Sequence, residues 1–400
     1  MRTAFILSVA FGSLVWAQTS DPPTYRGQVQ AILERRCVGC HNRGGVGRLP
    51  LDTYAQAQAF WQEIRNTSNN KQMPPLFAVP GYGSFLNESG LTLEEIETLL
   101  RWTDAGEPLG TGAAKPARNW APVTWTKGKP DLVITTPLTQ VAATGPRQTR
   151  CFALTSGAVS AKDVGAIEVL PGNRAAVYQV RVFAALGVRQ GAVPDCNHEE
   201  NGESRMRLGE WTPNHGVIPL PAGLGRPLPA KALLLVEVTY QPSGFPTTDA
   251  TRVGLYFRAA MRHLRTLAIE TRNLAIPKGE WNAAAHANWT AAEDLTIVSI
   301  APHMHALGKE MRVLATRPGG SQETLLWVRD YDERRQKAYV FEKPLFLPKG
   351  TQVEVQGLFN NSESNIRLPG GSTGAVAWGT APDKEMLTAY IEYVAGTPQR

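Results

Sequence analysis

Cysteine is scarce in this chain, with four residues in 400, at positions 37, 40, 151 and 196. A small scaffold stapled by many disulfides is therefore excluded. Long apolar runs are scarce as well. The stretch AFILSVAFGSLVW that follows Met1, Arg2 and Thr3 falls short of the roughly 18 residues that mark a membrane span, and no other run of that kind follows it. Basic runs interleaved with aromatic residues are missing, and a formal charge of +6 over this length is mild. No nucleic-acid partner is expected.

What the chain does have is turn formers. It carries 37 Gly and 29 Pro, with 42% hydrophobic and 19% charged residues, which suits a folded protein made mostly of short strands. Its length exceeds one ordinary core and implies more than one domain. Residues 1–17 hold one basic residue, the apolar stretch and small or short residues at Val15 and Ala17, the pattern of a cleaved secretory signal, with an N-terminal anchor as the alternative. No Cys stands at the expected cleavage point, so no lipid anchor is expected there. The mature chain is expected to be periplasmic or secreted, with no membrane span. In an oxidising compartment Cys151 and Cys196 can bridge, or can remain two separate thiols.

Residues 20–107 read as helical. Tyr25 to Arg36 forms a helix leading into CVGCH, and Thr53 to Arg65 keeps apolar residues at helical spacing. Thr92 and Glu95 make a capping box before a stripe of Ile96, Leu99, Leu100 and Trp102. Residues 108–130 follow neither hydrophobic period and read as a linker of about 20 residues, flexible enough for the helical unit to dock on either following domain. Residues 131–262 and 263–397 alternate β-rich runs with Gly and Pro turns. They read as two β-sandwich, jelly-roll-like domains behind a small all-α domain.

In CVGCH, Cys37 and Cys40 are spaced for thioether bonds to haem vinyl groups, with His41 as the iron ligand. Zinc or a redox CxxC is the alternative, but zinc would need a second ligand pair nearby and none is present. The helical segment resembles a small class I cytochrome c, with one covalent haem c. Met73 in KQMPPLF is then the expected second axial ligand, unless it only fills the core. In PHMH, His303 and His305 stand two apart on a predicted strand and so share a face while Met304 points away, a pair that can grip a metal or be merely structural.

From about Arg150 to Val394 the chain resembles the copper type II, ascorbate-dependent monooxygenases, the family of peptidylglycine hydroxylating and dopamine β-monooxygenases and their bacterial relatives. The likeness runs through CFAL at Cys151, EVLPGN at Glu168, YQPSG at Tyr240, VGLYF at Val253, PHMHALGKEMRV at Pro302, DYDERRQ at Asp330, FNNS at Phe359 and DKEML at Asp383. It implies two successive sandwiches and a single copper held by His303, His305 and Met386. Two imidazoles and a thioether suit an ion cycling through Cu(I).

Departures from the family pattern are as informative. Its second, electron-transfer copper needs a His pair and a further His, and the corresponding residues here are Tyr178, Gln179 and Thr239. That site is expected to be absent. His198, His215 and Met206 are the candidates for a replacement, although they match no family ligand. Of the residues that hold a substrate carboxylate in the peptidylglycine enzyme, the matching positions are Tyr390, Thr388 and Ala301, so only the Tyr is kept. His263 and His286 are expected to be ordinary residues. The resemblance implies a monooxygenase that uses O2 and an external electron donor or redox protein to hydroxylate a small organic substrate. A non-enzymatic copper or electron-transfer protein, or a haem-only interaction module, are the other readings.

Overall fold

The computed structural model describes residues 21–75, 78–88, 90–113, 124–193, 205–213, 215–333, 336–365, 367–368, 374–381 and 383–397. Strands dominate and helices are few. The expected signal segment lies outside the described residues.

The helices gather at the N-terminus. A π-helical turn at Tyr25–Val29, started by the Thr24 side chain accepting from Gly27 N, runs into α1 (Gln30–Arg36). Next come α2 (Tyr54–Ala59), opened by a Thr53/Gln56 capping box, and α3 (Trp61–Asn69). Finally α4 (Leu93–Asp104) carries the Thr92/Glu95 box. Tyr25, Val29, Leu33, Leu99 and Trp102 bury their apolar faces together. Glu95 has a second task, since its carboxylate receives Arg35 at 2.6 Å and Arg36 at 3.2 Å and so ties α1 to α4.

The first sandwich sets two five-stranded sheets face to face. One runs β1 (Leu132–Thr135), β11 (Arg252–Phe257), β4 (Lys162–Leu170), β8 (Leu224–Leu228), β12 (Arg262–His263). The other runs β6 (Gly191–Val193), β3 (Gln148–Thr155), β9 (Leu233–Tyr240), β5 (Val177–Ala185), β7 (Arg205–Trp211). Between them lie Val164, Val180, Val182, Leu234, Val236 and Leu255, drawn from both sheets. A small ladder of β2 (Thr139–Val141) and β10 (Thr247–Asp249) closes one end.

The second sandwich uses two four-stranded sheets. The first orders β13 (Arg265–Glu270), β22 (Thr388–Ala395), β16 (Leu295–His303), β19 (Tyr339–Leu347). The other orders β15 (Ala283–Thr290), β20 (Gln352–Phe359), β17 (Gly308–Thr316), β18 (Gln322–Val328). A two-stranded ladder pairs β14 (Ala275–Ile276) with β21 (Val376–Ala377). Antiparallel pairing prevails, as expected for sheets joined by turns; the β8–β12 pair is parallel.

The three units are fastened to one another by specific contacts. Arg226 of β8 donates through Nε and Nη2 to both oxygens of Glu392 on β22, each at 2.8 Å, across the two sandwiches. Ser299 adds a bond to the same carboxylate at 2.5 Å. The helical unit is held in a different way. Residues 78–88, between α3 and α4, run beside β19, where Leu86 N donates to Val340 O at 2.8 Å and Glu342 N to Ser84 O at 2.9 Å. Phe85 enters the second sandwich's core against Tyr339 and Phe341, with centroids at 5.2 and 4.9 Å. Burying one such ring stabilises the docking by about 1.5–3 kcal/mol. Freedom expected from the 108–130 linker is thus overridden by contacts elsewhere in the unit. The linker's described ends are themselves tied, Pro108 O to Tyr25 N at 2.9 Å and Thr126 N to Glu168 at 2.7 Å.

Candidate functional site

Two cavities stand out. The larger, about 320 Å³, opens where the helical unit meets the first sandwich. On one side are Cys37, Cys40, His41 and Met73, and on the other Tyr178, Gln179 and His215. Cys37 caps α1, and its carbonyl accepts from Cys40 N at 3.1 Å and His41 N at 2.9 Å, so the CVGCH turn presents both sulfurs and the imidazole together. Both thiols are free, and burial pushes Cys37 up to about 12 and Cys40 up to about 11.

The His41 ring is set by its neighbours. Its Nδ1 lies 2.8 Å from Leu49 O, an acceptor only, so Nδ1 carries the proton and Nε2 keeps a lone pair. Gly47 makes room for the ring, since a Cβ there would sit 2.7 Å from Nδ1. Burial lowers the His41 pKa and favours the neutral ligand form. Arg36, Arg48, Arg147 and Lys337 also face this cavity. Arg36 is paired with Glu95 and Lys337 with Asn87 O, which leaves Arg48 and Arg147 as the cations nearest for the carboxylates of a haem, and an apolar cavity beside two thiols and an imidazole fits the group. Met73 borders the cavity but is 40% exposed. His215 is held neutral, lowered to about 3 by burial and then by Lys337 and Arg36.

The smaller cavity, about 150 Å³, lies between the sandwiches and contains His303, His305, Met386 and Tyr390 of the second. β16 ends at His303, and His305 lies just past it. The chain stays extended long enough for both rings to face the cavity, with centroids 5.1 Å apart and planes at 83°. Met304 points the other way into the core, fully buried, as period-2 alternation requires. Both rings have a defined tautomer. His303 Nδ1 meets Gln336 Oε1 at 3.1 Å and His305 Nδ1 meets Lys384 O at 3.0 Å, so both Nε2 lone pairs are available. Burial, with His305 beside it, lowers His303 to about 4.

Met386 is 1% exposed and is delivered by the turn before β22. Glu385 braces the turn. One carboxylate oxygen accepts from His305 N and from Met386 N at 2.9 Å, and the other from Leu307 N at 2.9 Å. Burial raises Glu385 to about 8 against the pull of these three amides. A single buried side chain thus fixes the backbone of two segments far apart in sequence, at His305 and Leu307 and at Met386. Among the described residues no group of three His, Cys, Asp or Glu could hold a metal. The donor set here has two histidines and a thioether, which fits a copper ion that visits Cu(I).

The remaining expected residues separate clearly. Tyr390 lies 6.0 Å from the His303 ring, while Thr388 is fully buried and Ala301 lines the cavity. Tyr178 lies under the Arg147 guanidinium at 3.6 Å, and Thr239 Oγ1 is 3.0 Å from Thr149 Oγ1. Met206 packs on the first sandwich's core, His215 lines the larger cavity, and His198 lies outside the described residues. Cys151 on β3 is disulfide-bonded, and Cys196, its expected partner, also lies outside them. His263 pairs with Asp163 at 2.8 Å, and His286 is exposed on β15.

Sequence reasoning missed Glu385, Gln336 and the first sandwich's wall of the smaller cavity. In that wall Arg181 and Arg205 both grip Glu237, at 2.7 and 2.6 Å. Glu385 had a signal, an acid directly before a ligand at the edge of an apolar strand. Gln336 closes the DYDERRQ run of the likeness, but nothing in that run tells that its side chain reaches His303, which tertiary placement decides.

No family model matches the chain, and no curated protein does. Solved structures with some likeness include the VP2 subviral particle of infectious bursal disease virus, 9% identical, covering 69% of this chain and 75% of that one, at TM-score 0.20. Another is PNGase F, a glycosylasparaginase from Flavobacterium meningosepticum, 10% identical, covering 68% and 98%, at TM-score 0.26. Scores this low assign no fold. No described helix is long and apolar enough to cross a membrane.

Proposed function

We propose that this chain is an exported haem c and copper protein, a monooxygenase that hydroxylates a small organic substrate with O2 and electrons from an external donor. The observation that carries the reading is the placing of the larger cavity. The CVGCH turn faces Tyr178 and Gln179, the positions at which the resemblance expects a His pair for a second copper. A haem there stands in for the missing metal.

When bound, haem supplies a one-electron store and copper an O2-reactive centre. The chain does the holding. Cys37 and Cys40 would hold a haem through thioethers, His41 would present Nε2 to its iron, and Met73 at the cavity edge would offer a thioether donor. Arg48 and Arg147 would lie beside the haem carboxylates. His303 and His305 keep Nδ1–H on oxygen acceptors and turn Nε2 inward, while Glu385 holds the turn that brings Met386 to them. Tyr390 walls the substrate space, and the buried Arg226–Glu392 pair keeps both sandwiches closed around it.

The test is oxygen consumption by the copper-loaded, pre-reduced chain with a panel of small organic substrates, followed by mass spectrometry of products. Substrate-dependent uptake that disappears in His303→Ala supports the reading. Copper and haem binding with no hydroxylated product would leave an electron-transfer protein on the same scaffold.

A further inference from the structure

The two cavities are joined through one residue. Gln179 on β5 lines the larger cavity, and its Nε2 donates to the backbone oxygen of Gln336 at 2.7 Å. The side-chain oxygen of the same Gln336 meets His303 Nδ1 at 3.1 Å, and Gln336 lines the smaller cavity. Two hydrogen bonds and the covalent frame of a single glutamine thus lead from the wall of one cavity to a metal-ligating imidazole of the other.

All three units meet at this point. Lys337 Nζ donates to Asn87 O at 2.6 Å, Asn87 Nδ2 donates to Ala338 O at 2.5 Å, and Ala338 N donates to the Glu210 carboxylate at 3.2 Å. Asn87 belongs to the segment that docks the helical unit, and Glu210 to β7 of the first sandwich. The segment 336–338 is therefore clamped from both sides, which restrains Gln336. Gln179 is buried and both hydrogen bonds of the path are part-buried, where a hydrogen bond is electrostatically stronger than in water.

We infer that Gln179 and Gln336 form the electron path between the two cofactor cavities, with Gln336 also setting the tautomer of His303. The inference rests on the two-cofactor reading given above. One electron leaves a ferrous haem, which becomes ferric, and enters Cu(II), which becomes Cu(I). No proton moves, since the Nδ1 hydrogen of His303 stays shared with Gln336 throughout. Tunnelling through bonded atoms and hydrogen bonds decays less steeply than through a gap, so breaking either link slows the transfer. Gln336 and Gln179 act through His303 and the haem wall and are positioning residues.

The experiment uses the full chain, loaded with haem and Cu(II), first quantified by haem absorbance and copper EPR. The haem is then reduced in a pulse without oxygen, and its reoxidation by copper within the same chain is followed optically. Gln336→Leu removes the bond to His303, Gln179→Leu removes the bond on the haem side, and Gln336→Glu keeps an oxygen acceptor. Gln336→Leu is expected to slow reoxidation by about tenfold or more, as loss of the outer partner of a metal ligand does elsewhere, and Gln179→Leu is expected to slow it as well by opening the other link. Gln336→Glu should recover most of the rate, and the copper EPR signal should shift in Gln336→Leu but not in Gln179→Leu. Unchanged transfer in both Leu variants, with both cofactors present, overturns the path alone. Failure of the unmodified chain to take up haem or copper would instead overturn the two-cofactor reading on which it stands.

Discussion

The two sandwiches share an architecture and differ in what they place at their strand ends. Both bury a continuous core between two sheets, led by Val180, Leu234 and Val236 in one and by Ile297, Val313 and Val355 in the other. In the second, the end of β16 and the turn before β22 present two imidazoles and a thioether to one cavity. In the first, β5 and β9 present Tyr178, Gln179 and Thr239 instead, and a helical unit with two thiols and an imidazole closes over the first two. The contrast teaches that the core fixes the sheets while the chemistry sits outside it. Donor residues at strand ends can change without disturbing the packing that holds the strands, so one sandwich can keep a metal site while its neighbour becomes a wall for another cofactor.

Removing either cofactor's anchors should break that contrast most sharply. Changing Cys37 and Cys40 both to Ala should abolish covalent haem altogether, read from the intact mass of the exported chain. Met386→Ala or His303→Ala should weaken copper binding by more than the roughly 10–100-fold that losing an outer partner costs, with haem content unchanged. Glu385→Ala leaves every copper ligand in place but removes the brace. It should cost about 10–100-fold in copper affinity, measured by competition with a chelator.

The joint between the sandwiches gives a smaller effect, seen in stability. Arg226→Leu strands the buried Glu392 carboxylate and should destabilise the chain by about 3–5 kcal/mol in denaturant unfolding. Glu392 is lowered from its ordinary value of 4.5 by Arg226 and Ser299 against the cost of burial. Its contribution is therefore complete above that value and is lost as pH falls through the depressed folded pKa. Acid unfolding of the parent chain should show this loss, and Arg226→Leu should blunt it. Smallest is the expected Cys151–Cys196 bridge, worth about 2–4 kcal/mol. Peptide mapping without reduction should recover the cross-link, and both residues as free thiols would remove it.

Many of the strands were legible in the sequence because alternation and turn residues are local signals, whereas their order in the sheets was not. The runs AIEVL, VYQVRVFAAL, ALLLVEVTY and RVGLYFRA became β4, β5, β9 and β11. The convergence of His303 and His305 was legible for the same reason, as the period of an extended chain decides it. Thr92 and Glu95 announced α4, and Thr53 with Gln56 announced α2 equally well to a reader watching for a Gln in the capping box. The docking of residues 78–88 was not legible. GYGSFLNES has no strong period, and its order comes from β19, more than 250 residues away. Gln336, Glu237 and Arg181 were hidden likewise, since nothing local tells a glutamine beside a metal ligand from one in solvent.

The central claim is that haem takes the place of a second copper, and one measurement meets it directly. The fully reduced chain, with haem and copper loaded and a turnover substrate present, is mixed rapidly with oxygen and followed in the haem bands. Haem oxidation should keep pace with product formation and slow when Met386 is replaced by Ala. A haem that stays reduced while substrate is hydroxylated would contradict the claim.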